Sequence, residues 1–274
     1  MHNDSLGDRM KKYEYVTRTH LLPRTPVIIR IDGRAFHTFT RGFAKPFDYV
    51  FAASMQATMK YLCENIQGCV LGYTQSDEIS LVLIDYKELD SQGWFDYNIQ
   101  KCVSVAASMA TLAFNRSFAR NTDLYTCSEP NYAEYPERAK QINTYCKAVN
   151  NGATFDARVF NLPKEEVTNY LLWRQNDATR NSINMVGFAN FSPKQMHGKS
   201  CSEIQDMLML EKGINWNNYP TIFKRGSCCL RKSNGDEHNN RKSWIIDEEI
   251  PIFRNDGRDY IECLINPNRS GGQQ

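Results

Sequence analysis

Apolar positions along the chain change their period several times, and each change marks an element. Thr25 to Gly33 (TPVIIRIDG) is a β-branched run closed by Asp-Gly, which reads as a strand running into a tight turn. From Pro46 the spacing becomes helical, with Phe47, Val50, Phe51, Met55, Met59, Leu62 and Ile66 on one stripe and proline in the first turn. Two short apolar runs then flank YTQSD within LGYTQSDEISLVLI (Leu71 to Ile84) and predict a hairpin. A second helical stripe follows through Ile99, Cys102, Val103, Ala106, Met109, Leu112 and Ala113. TFDARVFNL (Thr154 to Leu162) is one more strand, reached after a polar stretch over residues 115–150.

Strand, helix, strand, strand, helix, strand is the order of a split-βαβ, ferredoxin-like unit. The predicted fold is therefore α+β, with a βαββαβ sheet, helices on one face, and residues 1–162 as its core. The polar stretch is expected as an insertion, with a function or a helix of its own. Residues 163–274 read as a C-terminal extension of helices and a hairpin packed on that core as one structural unit. Pro163 opens a helix in KEEVTNYLLWRQNDATRN, and Ser200 with Glu203 forms a capping box for a helix that Gly213 can close. Strand-like runs YPTIFKRGSCCL and KSWIIDEEIPIF form a terminal hairpin around Ser233 to Asp236, and the NPNRSGGQQ tail reads as frayed.

Composition narrows the class without naming a function. The chain has 274 residues, 41% of them hydrophobic, and lacks an apolar run long enough to span a membrane, so no membrane partner is expected. The N-terminal stretch carries charge without an apolar segment, so it does not read as a secretory leader. Nine cysteines without a Cys-x-x-Cys pair, and five histidines without ligand spacing, argue against structural zinc and for reduced thiols in a cytoplasmic protein. A net charge of +2 is too small to imply nucleic acid by itself. Its distribution says more: Phe223 to Trp244 holds six Lys or Arg against two acids. That stretch, with Lys224 and Arg225 at its start, reads equally as a solvated hairpin or as a phosphate-contacting surface.

The hairpin raises a chemical question, because two acids head an apolar strand. Alternation puts Asp77 with Ile79, Leu81 and Leu83, and Glu78 with Ser80, Val82 and Ile84. Taken alone, that is a hydrated turn. In a split-βαβ sheet, however, the first strand lies beside the hairpin, and Asp32 at its end can meet Asp77. Two close carboxylates repel unless a cation joins them. With Mg²⁺ they form an oxygen-only site with positions left for phosphate oxygens, and the Gly33 carbonyl is a further candidate ligand. Two such ions can serve the attacking and leaving oxygens of phosphoryl displacement. Arg34, Lys45 and Lys101 can neutralise a triphosphate, and Phe36 and His37 can pack on a base. The constellation reads as a metal-dependent nucleotidyl-transfer or cyclase-like palm.

Six motifs then match in order. RIDGRAFHTF (Arg30 to Phe39), FAKPFD (Phe43 to Asp48), GYTQSDEIS (Gly72 to Ser80), FDARV (Phe155 to Val159), YLLWRQND (Tyr170 to Asp177) and FKRGS (Phe223 to Ser227) resemble the tRNA-histidine guanylyltransferase family and its bacterial and archaeal relatives. The resemblance implies a polymerase-like palm that extends RNA at its 5′ end. A tRNA 5′-monophosphate is activated by ATP or GTP, and the 3′-hydroxyl of an incoming nucleoside triphosphate then attacks it. It implies two Mg²⁺ on Asp32, Asp77 and the Gly33 carbonyl, and nucleotide contacts along Asp32, Gly33, Arg34, Ala35, Phe36 and His37 and at Ser76 and Asp77. Lys101 matches a triphosphate-contacting lysine, and Glu78 an acid needed for activity, which the strand parity turns away from Asp77. Homotetramers, as dimers of dimers, are also implied.

One departure bears on specificity. Eukaryotic members carry His-Ile-Asn-Asn-Leu-Tyr-Asn where this chain reads TRNSINM, with Thr179 in place of the histidine. That points to the subgroup that repairs 5′-truncated tRNA by templated addition. Arg180, Asn181 and Asn184 stay as candidate RNA contacts or a polar helix face. The Asn that follows Asp-Gly-Arg in the family is Ala35 here, which bears on nucleotide preference. The alternatives are guanylate addition specific to histidine tRNA, a cyclase-type enzyme acting on free nucleotides, and a catalytically silent RNA-binding protein.

Overall fold

A computed structural model describes residues 5–128, 135–233 and 242–266. Six strands form one sheet in the order β4-β1-β3-β2-β5-β6, and every neighbouring pair is antiparallel. The strands are β1 (Val27–Gly33), β2 (Cys69–Gln75), β3 (Glu78–Leu83), β4 (Phe155–Asn161), β5 (Ser227–Ser233) and β6 (Lys242–Asp247). The first four carry the expected split-βαβ topology. The C-terminal hairpin continues the same sheet through β2.

Strand parity decides what each face meets. Val27, Ile29 and Ile31 of β1 and Ile79, Leu81 and Leu83 of β3 join a core with α3 (Tyr49–Asn65) and α4 (Ile99–Cys127). Ile28 and Val82 point the other way, into a second core with α6 (Lys164–Asn190) and α10 (Asp259–Ile265). The helices between the strands thus share one face, and the C-terminal extension covers the other. α6 spans 27 residues, about 40 Å at the α-helical rise. Its C-terminal half packs through Ile183 and Val186 on α7 (Pro193–Met196) and α8 (Cys201–Lys212). As expected, α8 has a capping box between Ser200 and Glu203 and ends at Gly213 in the left-handed region.

Two local readings gain detail. The described residues of 115–150 are largely helical, and include the helix of its own expected there. α4 runs on to Cys127 because Phe114, Phe118 and Thr122 continue its buried stripe, and α5 (Pro136–Asn151) begins with proline at its first turn. In YPTIFKRGSCCL the strand begins only at Ser227, since Thr221–Arg225 forms a helical turn (α9) after Pro220. Gly226 follows at φ 87°, where a Cβ would lie 2.4 Å from the Thr74 carbonyl of β2. Only glycine lets the backbone pass there. The expected turn beyond Ser233, and all of the tail but Asn266, lie outside the described residues. None of the nine cysteines forms a disulfide, and no helix among the described residues is long and apolar enough to cross a membrane.

Candidate active site

The two-residue turn Ser76–Asp77 joins β2 to β3, with Ser76 in the left-handed region at φ 48°. Its backbone docks on the end of β1: the Gly33 N–H donates to the Asp77 carbonyl at 3.0 Å. The β1 acid and the hairpin acid are thereby held at one end of the sheet by main chain rather than by side chains. Beyond Gly33 the chain turns through Ala35, left-handed at φ 55°, into the single turn α2 (Phe36–Phe39). Gly33 itself is extended backbone. Its role is steric, since a Cβ there would sit 2.3 Å from the Phe36 ring.

A cavity of about 450 Å³ opens beside this junction, lined by His37, Lys45, Ser76, Asp77, Met185 and Phe188 among others. Asp48 fixes its rim. One carboxylate oxygen caps α3 at Phe51 N (2.9 Å), while the other accepts from Ala44 N (3.0 Å) and the Tyr145 hydroxyl (2.6 Å). The segment bearing Lys45 is tied to α5 in this way. A smaller adjoining hollow shares Asp48, Ser76 and Met185 and extends to Asn181 and Phe223.

The electrostatics divide the acids. Asp77 accepts from the Ser76 hydroxyl at 3.0 Å. Burial nonetheless raises its pKa, against its own backbone amide and Ser76, and the negative charge of Asp32 adds to the rise. The Asp32 carboxylate turns toward Arg30 (3.1 Å) and Arg158 (3.3 Å). Its Oδ2 is shut from solvent and accepts no aligned hydrogen bond. Glu78 is 4% exposed and held from the α6 side, by Arg174 Nε at 2.8 Å and Arg30 Nη2 at 3.1 Å. Burial still raises its pKa despite both arginines. Parity had turned Glu78 away from Asp77, and Glu78 has no opening to the cavity. Arg174 goes on to Asp177 at 2.8 Å, and Asp177 pairs with Arg180.

The sequence pattern of the tRNAHis guanylyltransferase family matches residues 7–163, more than half of the chain. The chain belongs to that family. A tRNA(His) guanylyltransferase of Schizosaccharomyces pombe is 29% identical over 254 residues, spanning 88% of this chain and 86% of its own. Two solved structures of a bacterial tRNA(His) guanylyltransferase-like protein also resemble it. The complex with ATP aligns at TM-score 0.78 and 43% identity, over 95% of this chain and 99% of its own. The complex with GTP aligns at 0.76 and 41%, over 96% and 99%. Nucleotidyl transfer is the activity class of the family, and the palm-like sheet is its fold.

Against that family frame, the candidate residues separate by position. Asp32, Gly33, Ser76 and Asp77 come together, with His37 and Lys45 on the adjacent cavity. Phe36 lines that cavity from below but is 4% exposed and packs on Phe39, Phe51, Phe114 and Phe155, so it is core rather than a platform for a base. Arg34 and Ala35 face a different cavity, behind α2. Asn181 lines the smaller hollow, while on α6 Arg180 is exposed and Asn184 half-buried. Lys224 donates to the Asn217 carbonyl at 2.6 Å, bracing its own loop, and Arg225 donates to the Ile250 carbonyl at 3.1 Å, tying that turn to the segment after β6.

Lys101 is not brought to the site. It lies in the first turn of α4, where the Ile99 N–H bonds Thr19 and Leu21 bonds Tyr97, beside the start of β1. The length of β1, about 17 Å from Val27 to Asp32 at the usual rise, separates it from the acids. Arg30, Arg174, Asp48 and Tyr145 were missed as supports. Arg174 had a signal: it falls on the buried stripe Val167, Leu171, Arg174, Ala178, where a charge needs a partner.

Proposed function

We propose that this protein is a Mg²⁺-dependent nucleotidyltransferase that adds nucleotides to the 5′ end of tRNA in the 3′-to-5′ direction, as templated repair of truncated 5′ ends. The observation that carries the reading is the Gly33 to Asp77 main-chain bond, which holds the end of β1 against the hairpin turn, with Asp77 opening on the cavity. The donor set suits Mg²⁺. Among the described residues no group of three or more His, Cys, Asp or Glu side chains is placed to hold a metal ion by itself. Mg²⁺ commonly uses one or two carboxylates and completes its shell with substrate phosphates and water. The desolvated Asp77 fits that demand, and Asp32, paired with Arg30 and Arg158, would turn from them to join it. Asp32, Asp77 and the Gly33 carbonyl would hold the two ions, which supply charge neutralisation to the transferring phosphate.

The chain's own residues bind and orient. Lys45, with Arg34 behind it, balances phosphate charge, and His37 with Met185 and Phe188 encloses the nucleoside. ATP and GTP, bound by the similar bacterial protein, are the expected substrates. In the activation step, a 5′-phosphate oxygen of tRNA attacks the α-phosphorus of ATP and pyrophosphate leaves. In the addition step, the 3′-hydroxyl of the incoming nucleotide attacks the activated 5′-phosphorus, and AMP leaves. The preference for repair over histidine-tRNA specificity rests on Thr179 in TRNSINM on α6, a stretch whose Asn181, Ser182 and Met185 line the smaller hollow. The reading includes a homotetramer, and within one chain Lys101 stays at the far end of β1 from the acids.

The test supplies a tRNA transcript lacking its first nucleotide, with a 5′-monophosphate, ATP, all four nucleotides and Mg²⁺. Growth by the nucleotide complementary to the opposite strand supports templated repair. Addition of G alone, whatever stands opposite, supports histidine-type guanylylation instead. Consumption of nucleotides without RNA supports the cyclase alternative.

A further inference from the structure

A second cavity, of about 480 Å³, lies on the other side of α2 from the acid pair. Its lining includes Arg34 and Arg41, which flank α2, and Lys147 of α5, with Thr38, Thr144 and Asn151 as hydrogen-bonding groups. All three cations are exposed, and no ion pair or side-chain hydrogen bond is found for any of them among the described residues. No carboxylate belongs to the lining. The one acid of α5, Glu137, lies in its first turn, at the opposite end of that helix. The C-terminal carbonyls of α5 contribute about half a negative charge, against three full positive ones. A concave surface with uncompensated like charges is a site for an anion.

The lining also says which anion. The only aromatic side chain in it is Phe39, whose ring is committed to Phe36, Phe43, Phe114 and Phe118. No ring is left on which a base could stack, so the site reads phosphate and not nucleoside. It begins at Arg34, two residues beyond Asp32, and the Arg34 N–H is fixed on the Thr154 carbonyl at 2.9 Å. α2 is therefore a one-turn partition between the acid-pair cavity and this one.

We infer that the cavity behind α2 holds backbone phosphates of the RNA strand whose 5′ end lies at the acid pair. This rests on the proposed action on RNA. Arg41 and Lys147 are the discriminating residues, because the proposed function gives neither a part in holding the nucleotide.

The experiment measures binding of a labelled, 5′-monophosphorylated tRNA transcript between about 50 and 200 mM KCl, for the wild type and for Arg41→Gln/Lys147→Gln. Losing two phosphate contacts should flatten the log–log salt slope by about 1.5 and weaken affinity roughly tenfold at the lower salt. ATP binding without RNA should be unchanged, and Arg41→Lys/Lys147→Arg should recover the wild-type slope. A wild-type slope in the Gln double variant overturns the inference and leaves the proposed function standing. Loss of ATP affinity with RNA binding intact overturns it too and assigns the cavity to a free triphosphate. A wild-type protein that shows no salt-dependent RNA binding overturns both readings.

Discussion

Asp32 and Glu78 sit directly opposite one another on β1 and β3, and Arg30 lies 3.1 Å from each. Opposed residues of antiparallel strands project to the same face, so like charges there repel unless a cation intervenes. Arg30 is that cation, and Arg174 takes the second oxygen of Glu78. Asp77, across the turn, has no such partner. The protein neutralises the acids on the α6 side of the sheet with its own arginines. On the cavity side it leaves a carboxylate for something else to neutralise.

That imbalance predicts a stability signature. Burial raises the Asp77 pKa above its ordinary value of 3.8. A folded-state pKa above the unfolded one means that the native state holds its proton more tightly. Stability therefore falls as pH rises from about that value and stays lower at neutral pH. In EDTA at pH 7, Asp77→Asn should melt above the wild type, and the advantage should vanish in strong acid. Added MgCl₂ should raise the melting temperature of the wild type and not of the variant. Equal Mg²⁺ responses would remove Asp77 from the ion site.

Arg174→Ala should destabilise the fold by about 3–5 kcal/mol, because it leaves Glu78 buried with half of its compensation. Glu78→Gln should cost less, since burial already disfavours the charged form of Glu78. Denaturant melts of both variants give the order. A smaller loss for Arg174→Ala than for Glu78→Gln would contradict the assignment.

Gly33→Ala should destabilise by about 1–3 kcal/mol through overpacking, as the new methyl meets the Phe36 ring and not a forbidden φ. Gly33→Ala combined with Phe36→Leu should recover part of that loss. A double variant no better than the sum of the two single ones would mean the cost is not steric.

Tyr145→Phe removes a 2.6 Å bond to the Asp48 carboxylate. Hydrogen bonds to charged groups are worth about 1.5–3 kcal/mol. The variant should lose stability in that range and raise KM for the nucleotide more than it lowers kcat, because the segment bearing Lys45 loosens. A fall in kcat alone would place Tyr145 closer to the chemistry.

Much of this site was legible from periodicity. Alternation in EISLVLI assigned Glu78 to the face away from Asp77, and it does point into the α6 side. The same parity puts Asp32 with Arg30 and Ile28 on that face, so the acid pair converges through main chain at the turn rather than by opposed side chains. The role of Phe36 was hidden because an aromatic after Asp-Gly-Arg-Ala looks the same whether its ring lies over a ligand or under a turn. Only packing on Phe51, Phe114 and Phe155 decides. The end of the sheet at which Lys101 falls follows from the direction of α4, which the motif alone does not carry. α5 was obscured by its polar composition, with only Ile142, Tyr145 and Ala148 buried.

The measurement closest to the central claim is which end of an RNA grows, and whether growth needs Asp77. A tRNA transcript with a 5′-monophosphate, a missing first nucleotide and a chemically blocked 3′ end would be incubated with ATP, nucleotides and Mg²⁺. Both the wild type and Asp77→Asn would be assayed. The account predicts extension of the blocked RNA by the wild type, mapped to the 5′ end, and at least a thousandfold less by the variant, on the order of losing a metal-binding carboxylate at a phosphoryl-transfer site. Extension that requires a free 3′-hydroxyl, or an undiminished rate in Asp77→Asn, would contradict it.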